Sequence, residues 1–85
     1  MPRDRLHEAL NTLHRELDDP SALSENDHAL LAKVAEDVQR VLEEVEPDDS
    51  IRTRVETLAT EFEANNPRTA LLLSEIVELL QRMGI

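Results

Sequence analysis

The residues of this chain with chemical potential are three histidines, several paired carboxylates and four serines. His7 and His14 lie seven residues apart and share one face of a helix. Two turns separate them by roughly 10 Å, too far to hold one metal ion. His14 and Asp18, at i and i+4, supply at most two ligands, and nothing near them in sequence completes a set. Both histidines flank a leucine stripe, so they are expected as partly buried residues at a seam edge, with a pH-sensitive packing edge as the functional alternative. His28 reads as a surface residue in the first turn of a helix. Asp18-Asp19, Glu43-Glu44 and Asp48-Asp49 are paired acids. Acid–base catalysis by such a pair needs a cleft that moves one pKa away from the other. Adjacent acids at helix ends instead serve as solvated termini or caps. Metal-binding carboxylate bundles place Glu-x-x-His on facing helices, and Asp4-x-x-His7 and Asn11-x-x-His14 are poor substitutes for it. Ser21, Ser24, Ser50 and Ser74 lack a glycine-flanked nucleophile elbow. The single glycine, Gly84, stands at the far end, so no phosphate-cradling loop can be built. The expectation is a non-enzymatic protein with no catalytic residue, no metal, no cofactor and no small-molecule substrate.

The elements that carry these residues follow from composition and spacing. Eighty-five residues allow one domain, 1–85. A chain this short buries only about 60–65% of its unfolded surface. Without Cys it has neither disulfides nor thiolate metal sites to compensate. That leaves helix packing and self-association. Phe62 is the only aromatic residue, and Leu, Ala, Glu and Arg predominate, which favours helix over sheet.

Leu6, Leu10, Leu13 and Leu17 lay one stripe along a first helix of about Arg3 to Leu17, which Asp18-Asp19-Pro20 ends. Ser24 with Asp27 resembles a capping box at the start of a second helix. Leu31, Val34, Val38, Val41 and Val45 alternate by three and four along it, Leu30 and Leu42 widen the stripe, and Pro47 with Asp48-Asp49 closes it. Asp49 or Ser50 caps a third helix carrying Ile51, Val55, Leu58 and Phe62. Asn66 and Pro67 suit the N-cap and first residue of a fourth, as a corner or as a kink. Leu72, Ile76, Leu79 and Met83 form the main stripe of that helix, and Leu71, Leu73, Val77 and Leu80 broaden it beyond half the circumference. Gly84 supplies a left-handed cap, and Ile85 folds back on the last turn. Spacing near 3.5 residues with short connections predicts an all-α, four-helix antiparallel bundle of two helical hairpins. Whether the hairpins pack within one chain or are completed by dimerisation stays open.

The layout resembles a family of small bacterial helical proteins known only as domain of unknown function 4404. The resemblance spans nearly the whole chain. It rests on the leucine-striped first helix, the acidic turn, Leu23-Ser24-Glu25, Phe62-Glu63-Ala64 before Asn66-Pro67, and the leucine-rich helix ending Met83-Gly84-Ile85. It implies a helical bacterial protein and brings no activity, substrate or catalytic residue.

A net charge of −10 opposes direct binding to nucleic acid and to anionic membranes. No apolar signal segment opens the sequence, and the most apolar stretch, Ala70 to Leu80, is far short of the roughly 20 residues that span a bilayer. A cytoplasmic location is expected. The fourth helix is the candidate interaction surface through Leu72, Leu73, Ile76, Leu79, Leu80 and Met83, with either a second copy or a protein partner against it. Self-association is favoured because the chain is so short. The competing reading is an acidic regulator or decoy covering a basic surface of a nucleic-acid-binding protein, with Glu43, Glu44, Asp48 and Asp49 in contact.

Overall fold

Four helices form where the apolar stripes require them. The computed structural model describes residues 2–19, 23–44 and 50–85, and among these the elements are α1 (Pro2–Leu17), α2 (Glu25–Leu42), α3 (Ile51–Phe62) and α4 (Pro67–Arg82). Pro2 and Pro67 sit in first turns, where a missing N–H forfeits no helical bond. Ser24 caps α2, its Oγ accepting from the Asp27 N–H at 3.1 Å. Glu25 and Asp27 add negative charge to that positive helix end. Residues 63–66 separate α3 from α4, so Asn66-Pro67 is a corner and not a kink.

The helices form an antiparallel bundle of two hairpins, α1–α2 and α3–α4, around one core. Leu6, Leu10 and Leu13 of α1 meet Leu31, Val34, Val38 and Val41 of α2, together with Ile51, Val55 and Phe62 of α3 and the inner face of α4. Leu17, Leu30, Leu42, Met83 and Ile85 close the core from partly buried positions. Among the described residues, the main stripe of each helix is thus buried or partly buried within one chain. Its radius of gyration is 11.9 Å, the value expected of a compact chain of this length. The hairpins join chiefly through α1 against α4, where buried Thr69 donates a 3.1 Å hydrogen bond to Glu16. Helices α2 and α3 make the thinnest contact of the ring.

The ends of the helices depart from expectation in instructive ways. Helix α2 stops at Leu42, short of Val45, and Val45, Pro47, Asp48 and Asp49 lie outside the described residues. At this end the Arg3 guanidinium donates to the Leu42 carbonyl, and Glu44 turns into the left-handed region at φ 61°. Ser50 precedes α3 without a capping bond from its side chain, and the Asn66 side chain likewise makes none. At the other end of α4, Gly84 at φ +80° donates to Gln81 O at 3.1 Å, and the Ile85 N–H reaches Leu80 O at 3.0 Å. This pair of bonds is the Schellman closure, with Ile85 folded onto the core as its position predicts.

Candidate interaction surface

Helix α4 packs between α1 and α3, so its inner face is wide. Leu73, Ile76 and Leu80 are fully buried, and Leu72 and Leu79 are nearly so. Met83 is half-buried at the end of the core. The structure thus brings the six expected interaction residues together, but inside the bundle, covered by the same chain. A contact that used them would require the bundle to open. The apolar side chain that α4 presents to solvent is Leu71, with 73% of its surface exposed. Three leucines in succession, Leu71 to Leu73, step about 100° apart around the helix. Two of them turn inward and the first turns out.

Leu71 does not stand alone. It lines an open groove of about 450 Å³ between the outer faces of α3 and α4. Ala59, Ala70 and Val77, all buried, lie along the groove with Pro67 and Ser74. The Thr60 hydroxyl donates to Glu56 O at 3.2 Å within its own helix, which lowers the polarity of the lining. Glu56 and Glu63 also line the groove, and both are exposed. Glu56 lies on α3 and Glu63 caps its C-terminal end, so the two stand roughly 10 Å apart along the helix axis. Among the described residues no Lys or Arg lines this groove.

The residues singled out for chemistry are scattered. His7 and His14 are exposed, not partly buried, because Ala9 joins Leu6, Leu10 and Leu13 in a narrow seam that leaves them outside. Glu25-x-x-His28 supplies one Glu-x-x-His spacing, in the first turn of α2. Its His28 Nε2 lies 3.0 Å from the Leu17 carbonyl, tying the end of α1 to the start of α2. Among the described residues no cluster of three His, Asp or Glu side chains is arranged to hold a metal ion. Glu43 and Glu44 are exposed after α2, with Glu44 3.8 Å from Arg3.

One polar cluster was not anticipated. Asp37 is buried on α2, 3.3 Å from Lys33 and 3.0 Å from Arg54 of α3. It sits on the wall of a second groove, of about 350 Å³, between α2 and α3. Asp37 interrupts the apolar row Leu30, Val34, Asp37, Val41, a polar residue in an apolar register that the spacing alone makes visible. A 3.0 Å ion pair across the thinnest helix contact makes it a structural clasp.

Residues 6–85 match the model of a family described as a domain of unknown function (DUF4404), and the chain belongs to that family. No curated protein and no solved structure matches it.

Proposed function

Starting from membership in a family with no assigned activity, we propose that this is a non-enzymatic contact module that works helix against helix, with the outer side of α4 at the interface. The observation that supports this is Leu71, largely exposed on an apolar groove while every other large hydrophobic side chain described is buried or partly buried. Single exposed leucines are ordinary. A leucine set beside a groove with buried alanines and a valine along it is a shaped surface, and shape is what a partner helix recognises. The six residues of the inner face support this surface by fixing the position of α4. The setting we propose is a bacterial cytoplasm, which suits a cysteine-free chain with no described helix long and apolar enough to cross a membrane.

A photo-crosslinking residue at position 71, expressed in cells of the native host, tests the reading. An adduct with a second copy or another protein is expected from position 71 and not from Glu8, on the exposed side of α1. Equal labelling at both positions, or none at either, would defeat it. The acidic decoy draws its support from the charge of −10 alone. It predicts a salt-sensitive association that Leu71→Asp leaves intact.

A further inference from the structure

We infer that the α3–α4 groove receives an amphipathic helix of another protein whose apolar stripe is flanked by Lys or Arg, and that a second copy of this chain is not its occupant. The inference rests on the contact-module reading and names the partner's chemistry.

Two observations carry it. The first is the shape of the groove. Buried Ala59 and Ala70 leave little side chain between a visiting helix and the backbones of α3 and α4. Leu71 stands beside them as a knob, and Pro67, Leu71 and Ser74 form one row at i, i+4 and i+7. Rows of this kind interdigitate with the rows of a facing helix at an axis separation of about 8–10 Å. The visitor's apolar residues must therefore recur every three or four positions.

The second observation is charge. Glu56 and Glu63 line the groove about two turns apart, and among the described residues no Lys or Arg lines it with them. A visiting helix with basic residues seven positions apart matches both carboxylates along the same rise. A second copy does not. In a twofold pairing of grooves the lining brings only carboxylates to the seam, and each chain carries a net charge of −10. Like charges across an interface suppress that pairing, whereas a basic partner is attracted and steered by the same field.

The test uses two fluorescein-labelled helical peptides of about 18 residues with Leu at heptad positions a and d. One carries Lys at e and g, and the other carries Glu there. Binding to the whole protein is read by fluorescence anisotropy. The Lys peptide should bind and the Glu peptide should not. Leu71→Ala should weaken the Lys peptide about tenfold, in keeping with loss of a buried leucine side chain. The double variant Glu56→Lys/Glu63→Lys should reverse the preference between the peptides.

Leu71→Asp separates groove binding from general attraction to an acidic protein. It adds a negative charge, so non-specific binding of the Lys peptide would rise, whereas groove binding should be lost. Circular dichroism of each variant verifies that the bundle is intact. Position 71 is exposed, and Glu56 and Glu63 are exposed, so none of these changes touches the core.

Any one of three peptide results overturns the inference: no binding of the Lys peptide, unchanged or tighter binding by Leu71→Asp, or no reversal by the double variant. A wild-type dimer in sedimentation equilibrium that Leu71→Asp makes monomeric also overturns it, while leaving the contact-module reading standing. A crosslink from position 71 with no peptide preference likewise removes the stated occupant and keeps the module. Absence of both crosslink and peptide binding removes the two together.

Discussion

At the scale of single residues, Asp37 shows how a charge is kept inside a small core. Its carboxylate is removed from water and answered by Lys33 one turn back and Arg54 on the facing helix. The two partners are not equal. Lys33 is half exposed and its bond lies within one helix, an arrangement worth only a few tenths of a kcal/mol. Arg54 binds closer and joins two helices. Because its side chain is 40% exposed, the full penalty of a broken buried pair is reduced by solvent. Arg54→Ala should cost about 1–2 kcal/mol in urea denaturation and Lys33→Ala under about 0.5 kcal/mol. Equal losses would refute the clasp. The two left-handed residues among those described form a second pair. Gly84 at φ +80° has open space where a Cβ would stand, so Gly84→Ala carries only the backbone penalty, about 1 kcal/mol. Glu44 at φ 61° already bears such a penalty, and its exposed 3.8 Å pairing with Arg3 offsets little of it. Glu44→Gly should therefore raise stability by about 0.5 kcal/mol, measured in the same titration.

At the scale of helices, spacing conveyed nearly all of what folded. Leu6-Leu10-Leu13, spaced 4-3, and Ile51-Val55-Leu58-Phe62, spaced 4-3-4, were legible because such spacing has one helical solution, and each of these residues is buried. The Ser24 cap and the Gly84 closure were legible because each rests on one residue and its near neighbours in sequence. Two features were not. The end of α2 at Leu42 carries a bond from Arg3, thirty-nine residues away in sequence, which no local pattern announces. The outward turn of Leu71 depends on where α1 and α3 sit around α4, and no local pattern distinguishes three successive leucines. The histidines failed for the same reason, since the width of a seam belongs to both of its helices. Aspartate substitutions at two positions of α4 make the distinction measurable. Ile76→Asp places a carboxylate at a fully buried site and should abolish the cooperative helical transition seen by circular dichroism. Leu71→Asp should shift the midpoint only slightly. Similar damage from both would mean that the two faces of α4 had been mistaken. Ser24→Ala should cost about 1 kcal/mol through the lost cap.

At the scale of the whole molecule, charge and the uneven ring of contacts set behaviour. A chain of 85 residues with net charge −10 repels itself when folded. Screening shortens the range of that repulsion to about 8–10 Å at physiological ionic strength. The thermal midpoint should rise as sodium chloride is increased from about 10 mM to about 150 mM. A fall would mean that the clasp and the other ion pairs outweigh the repulsion. The thin α2–α3 contact has a different consequence. A bundle whose walls differ in thickness breathes at the thinnest one, as a book opens at its fore-edge while the spine holds. The spine is α1 against α4, with Thr69 hydrogen-bonded to Glu16 across it. Amide hydrogens along the outer turns of α2 and α3 should therefore trade for deuterium well before those of α4, and Arg54→Ala should quicken the exchange at that edge alone.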